Sequence, residues 1–129
     1  MSDDLLREWA DKAEQDYDAA LILFKERKRS LCDIVCFHSQ QCAEKYWKAF
    51  LVSCKKPFFK THDLAELRES VVRLDGTFAL IGDLLKTLNP YSVDVRYPGD
   101  EADRKEAGRA IKAMKEVRAF VRGKLKGRI

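Results

Sequence analysis

The chain has 129 residues, 46% of them hydrophobic and 36% charged, with four cysteines, two histidines and a formal net charge of +4. That length and apolar fraction suit one domain, residues 1–129, built on one core, and leave no room for a second. No apolar run approaches the roughly 18 to 20 residues that span a bilayer. The acidic opening MSDDLLREWADKAEQD also lacks the basic-then-apolar order of a secretory signal, so the expectation is a cytoplasmic protein without membrane contact.

From Asp3 to about Glu26, Leu6, Trp9, Ala13, Tyr17, Ala20 and Phe24 recur at three- and four-residue steps, which predicts an amphipathic helix with Ser2 as its N-cap. Asp16 sits beside this apolar stripe, where an acid either lies at the rim or pairs with a base on the next helix. The cluster Lys25, Arg27, Lys28 and Arg29, followed by Ser30, reads as a helix end and turn.

A central helix is predicted from about Leu31 to Cys54. At 100° per residue Val35, Cys42, Ala43, Tyr46, Trp47, Ala49 and Phe50 cover one broad arc. Gln41, Glu44, Lys45 and Lys48 fall on the other side, giving a helix buried on most sides with one polar stripe. Such a stripe either meets solvent or faces a partner or ligand across a groove. Cys32, Cys36, Cys42 and Cys54 show no C-x2-C pair and read as reduced packing thiols, with no metal and no cofactor expected.

Lys55-Lys56-Pro57 closes the central helix. Thr61 is a suitable N-cap for a short helix through Leu64, Leu67, Val71 and Leu74, and Asp75-Gly76 marks the next turn. A further helix follows with Phe78, Ile81, Leu84, Leu85 and Leu88 inward, ended by Asn89-Pro90. Residues 91–100, YSVDVRYPGD, are a connection of a length that is often functional or disordered. The last helix, from about Glu101 to Lys124, should bury Ala107, Ala110, Ile111, Met114, Val117, Val121 and, past its end, Leu125. Its outer face carries Lys105, Arg109, Lys112, Lys115, Arg122 and Lys126. The expected architecture is all-α, an up-and-down bundle of four main helices plus one short helix.

Enzyme templates are missing: there is no Gly-rich phosphate loop, no H-E-x-x-H and no G-x-S-x-G. His38 and His62, the two imidazoles, read first as structural groups and only second as acids or bases. Lys45 and Lys48 share a helix face that a bundle can set near Arg96 and Tyr97. Two ammoniums, a guanidinium and an aromatic ring are the groups that hold a phosphate and stack a base. The competing arrangement pairs Arg96 with Glu44 or Asp16 and fixes the loop to the bundle.

The order EWADKAEQDYDAA, FHSQQCAEKYWKAFL, THDLAEL and YSVDVRYPG before a last helix resembles the HEPN domain family, over about Leu5 to Leu125. The resemblance implies a bundle of four or five helices that commonly dimerises, and nucleotide binding. It also implies association with a nucleotidyltransferase partner, in some cases as toxin and antitoxin. Gln41, Glu44, Lys45 and Lys48 match the family's central-helix pattern, Thr61, His62 and Asp63 its T-H-D-L element, and Arg96, Tyr97 and Pro98 its R-Y-P element. The expected ligand set is Lys45, Lys48, Arg96, Tyr97 and His62, with Asp16, Gln41, Glu44, Thr61 and Asp63 expected to support it or lie at an interface.

Ribonuclease members of the family use an Arg followed, after four to six residues, by a His. No Arg here precedes His38 or His62 at that spacing, and Arg96 has no His after it. With the resemblance, the sequence therefore favours a non-catalytic module that binds a nucleotide or other phosphate-bearing ligand, the resemblance implying a homodimer beside a nucleotidyltransferase. A toxin-like ribonuclease with RNA on its basic last helix is the runner-up. A purely structural dimerisation module, with the polar stripe as its seam, is third.

Overall fold

The computed structural model describes residues 2–53, 82–92 and 98–129. The predicted short helix after Thr61 and the residues Arg96 and Tyr97 lie outside them. Among the described residues there are four α-helices: α1 Ser2–Lys25, α2 Cys32–Ser53, α3 Gly82–Leu88 and α4 Arg104–Lys124. Two 3-10 turns, Arg29–Leu31 and Asn89–Tyr91, lead into α2 and out of α3. The all-α expectation holds, and none of these helices is long and apolar enough to cross a membrane.

The first turn is made by backbone geometry. The amides of Glu26 and Arg27 donate back to the carbonyls of Leu23 and Phe24, and Arg27 takes a left-handed φ of 55°. That closes α1 and reverses the chain. Residues past it re-enter helix at Cys32, so α2 returns antiparallel along α1. Leu6, Ala10, Ala13 and Ala20 of α1 and Cys32, Cys36, Cys42 and Ala43 of α2 are buried, and small side chains on both helices let the two backbones approach closely. Burial pushes the Cys42 thiol well above its ordinary range, which fits an inert packing thiol.

α4 begins three residues later than its pattern suggests. Asp103 is the N-cap, its carboxylate accepting from the Glu106 amide at 2.7 Å. Its inner face is as read: Ala107, Ala110, Ile111, Met114, Val117, Val121 and Leu125 are all buried. Side-chain ties fix its direction. Arg128 reaches Asp3, Arg118 reaches Glu14 and Arg104 reaches the Phe24 carbonyl, so α4 runs antiparallel to α1. The Ala102 amide donates to Asp33 and Arg122 donates to the Tyr46 hydroxyl, so α4 runs parallel to α2. α3 packs on α4, with the Tyr91 hydroxyl donating to Glu106.

Candidate functional site

α2 is apolar on nearly every side, and fifteen of its residues are buried. Trp47, Tyr46 and Leu51 are fully inside and pin the second half of the helix. Its polar stripe must then lie either in solvent or under cover. The structure covers most of it: Glu44 is 1% exposed, Lys48 7% and Gln41 9%. A buried charge is tolerated only when paired and hydrogen-bonded. Here the Lys48 ammonium donates to Glu44 at 2.8 Å, and the Gln41 amide donates to the other Glu44 oxygen at 3.0 Å and to Gln40 at 2.7 Å. The same ammonium lies 5.1 Å from the centre of the half-buried Trp9 ring.

One turn along, the stripe opens. Asp16, on α1, is itself buried, and its two carboxylate oxygens accept from two groups of α2: His38 Nδ1 at 2.8 Å and Lys45 Nζ at 2.5 Å. The side chains of His38 and Lys45 remain 27% and 24% exposed, so both are reachable from outside. Positions 38 and 45 are seven apart, two helical turns, which sets both groups above one acid of the neighbouring helix. Burial alone would raise the Asp16 carboxyl, but the hydrogen bonds and charges of His38 and Lys45 win and hold it below the usual carboxylate range.

Of the two readings of Asp16, the structure takes the pair with a base on the next helix, and supplies two partners. His38 is the group that sequence reasoning leaves out of the site. A signal for it exists: 38, 41, 45 and 48 form one row along α2, and Asp16 stands two turns from Trp9 on α1. Lys45 and Lys48 share that row, yet each is bound to a different carboxylate. Arg96, Tyr97, His62, Thr61 and Asp63 lie outside the described residues.

Behind this row a second set ties the helices together. Arg118 of α4 grips Glu14 of α1 with two bonds, at 2.6 and 2.8 Å, while stacking 4.3 Å over the Tyr17 ring. The Tyr46 hydroxyl donates to the same carboxylate and accepts from Arg122 at 3.1 Å. The Arg118 bond holds the Glu14 carboxyl below its ordinary range, and burial pushes the Tyr46 phenol up. Arg122, read from the sequence as an outer-face cation, is spent inside this tie.

Described residues line two grooves on the bundle's surface. Trp9 lines one of about 530 Å³ with Leu5, Glu8, Asp11 and Lys12. The other, about 260 Å³, lies between α3 and α4 and is lined by Leu84, Thr87, Arg109, Lys112, Ala113 and Glu116.

A model of the HEPN domain matches residues 6–124. The chain belongs to the HEPN domain family. Two solved structures are similar in fold. One is ST0689, described as an archaeal HEPN homologue, at 24% identity and a TM-score of 0.75, covering 94% of this chain and 98% of that one. The other is TT1696 from Thermus thermophilus, at 23% identity and a TM-score of 0.71, covering 93% and 98%. No curated protein matches the chain. In this HEPN domain the family resemblance read from FHSQQCAEKYWKAFL falls on α2, where His38, Gln41, Glu44, Lys45 and Lys48 form the half-covered polar row.

Proposed function

We propose that this HEPN domain is a non-catalytic binding module that takes a phosphate-bearing ligand, a nucleotide first, on the α1–α2 face. We read it as a homodimer working beside a nucleotidyltransferase partner. The observation that carries the ligand reading is Lys45. Its ammonium is held by a buried carboxylate next to a second reachable nitrogen base, and an ammonium with one bond made keeps two N–H groups for an incoming oxyanion. Holding the cation in place in advance reduces the side-chain entropy lost on binding. Trp9, beside its groove on the same helix as Asp16, offers an indole surface to a base. The absent Arg-His spacing supports binding without cleavage.

Calorimetric titration of ATP, GTP and a short RNA at low salt tests this. Micromolar to low-millimolar binding of at least one nucleotide, weakened about tenfold or more in Lys45→Met, is the expected result. No binding of any of the three removes the reading. Sedimentation equilibrium and co-purification with a co-expressed nucleotidyltransferase test the two partners.

The runner-up, RNA cleavage, draws on α4. Lys105, Arg109, Lys112 and Lys115 are exposed there, and among the described residues none of them meets a carboxylate in an ion pair. Such a stripe attracts a polyanion without regard to sequence. Purified protein that shortens RNA, with activity lost on alanine at Arg96 or His62, would favour the enzyme over the module.

A further inference from the structure

Two groups, His38 and Lys45, share one carboxylate in the Asp16 cluster, and the charges of the three decide what else can bind there. Asp16 contributes −1 and Lys45 +1. With a neutral His38 the cluster sums to zero, and with an imidazolium it sums to +1. Asp16 also sets the tautomer. A carboxylate only accepts, so the Nδ1 it touches carries the hydrogen, and the ring's other nitrogen, Nε2, holds a lone pair in the neutral form. No hydrogen bond to a described residue engages Nε2, and the side chain is 27% exposed. Protonation therefore changes two things together at one spot: the net charge rises by one, and a lone pair that repels an oxyanion becomes an N–H that donates to it.

We propose that His38 is the charge switch of the Lys45 anion site, admitting a phosphoryl or sulfuryl dianion when the imidazole is protonated and rejecting it when the ring is neutral. This rests on the reading of Lys45 as a ligand group. Among the described residues, two charged groups bear directly on His38. From α1 it faces Asp16, and from its own helix Lys45 stands on the same acid. Glu14 of α1 and Arg118 of α4, which act with Asp16 and Lys45 on Cys42 one turn along α2, are locked to each other and cancel. Phe37 packs edge-on against the imidazole, with ring centres 5.5 Å apart, and carries no charge. Among the described residues, then, His38 brings the one imidazole of the cluster, the side chain whose charge ordinarily changes between pH 5 and 8.

Sulfate is the probe, because its own charge stays constant across that interval. The full chain is titrated calorimetrically with sodium sulfate at pH 5.5, 6.5, 7.5 and 8.0, with sodium chloride as the ionic-strength control. The expected result is a dissociation constant that rises about tenfold from pH 5.5 to 8.0, equivalent to about 1.4 kcal/mol. His38→Gln should flatten that slope. Asp16→Asn, which removes the neutralising charge, should bind sulfate more tightly than the unaltered chain at pH 8.0. Proton and ligand binding are reciprocal. In the unaltered protein, saturating sulfate should therefore shift the midpoint of the His38 ring signals to higher pH in an NMR titration, a readout independent of whether either variant folds. Sulfate binding that is flat with pH, or a ring midpoint that does not move, overturns the switch while leaving Lys45 as an anion site. No binding of sulfate or ATP at any pH overturns both.

Discussion

Lys48 and Lys45 are three residues apart on one helix, and their surroundings give them different work. The Lys48–Glu44 pair is closed off, with both partners buried and an indole beside the ammonium. Removing one member of a buried pair strips the other charge of that partner, which typically costs about 3–5 kcal/mol. Lys48→Met should therefore destabilise by about 3 kcal/mol in urea unfolding, and Lys48→Met combined with Glu44→Gln should recover part of that loss. Lys45 is partly solvated, so Lys45→Met should cost little stability, about 1 kcal/mol or less, and act on binding instead. The Asp16 carboxyl gives a pH signature. Its folded value lies below its ordinary one, so the stability it contributes is fully present above the unfolded value and is lost as pH falls through the folded value. Urea unfolding of the unaltered protein and Asp16→Asn should show a gap that is wide at about pH 5 and narrows toward about pH 2; a gap that widens on acidification contradicts the hydrogen-bonded carboxylate.

At the scale of the helix, α4 is the most legible element in the sequence and α2 the least. Every residue assigned to the α4 core is buried, because one apolar stripe on a charged helix has only one way to face. α2 reads correctly as buried on most sides, but periodicity states which residues share a face and is silent on what covers it. Gln41, Glu44 and Lys48 look alike in the sequence whether solvent, a ligand or Trp9 of α1 lies over them. His38 stays outside the predicted site for a related reason: its role depends on Asp16, twenty-two residues away, and no local spacing links them. α4 also carries glycines at positions 108 and 123 inside the helix. A methyl group at Gly108 would meet the Phe24 ring at an ordinary 3.8 Å, and one at Gly123 would meet nothing within 4 Å. Glycine in a helix interior costs roughly 0.8–1 kcal/mol relative to alanine. Gly108→Ala and Gly123→Ala should each stabilise by about that amount in chemical unfolding, nearly additively, since the two sites share no neighbours.

At the scale of the whole molecule, Glu14 joins three helices at one point. Its carboxylate belongs to α1, the guanidinium that grips it to α4, and the phenol that donates to it to α2, while Arg122 of α4 closes the circuit on that phenol. Charge-assisted bonds of this kind each contribute about 1.5–3 kcal/mol, and here the carboxylate receives three donors. Truncating it strips Arg118 of its partner and leaves a mostly buried hydroxyl with only Arg122. Glu14→Ala should therefore lower stability by about 2–3 kcal/mol and the Tm by roughly 10 °C, with unfolding still a single cooperative transition because the apolar seams between α1, α2 and α4 remain. Arg118→Met should cost a similar amount, and the double variant should cost less than the sum of the two, as expected when both substitutions remove one shared interaction. A sum that is fully additive would mean that Glu14 and Arg118 hold their helices independently. The parallel and antiparallel order of the bundle would then rest on apolar packing alone.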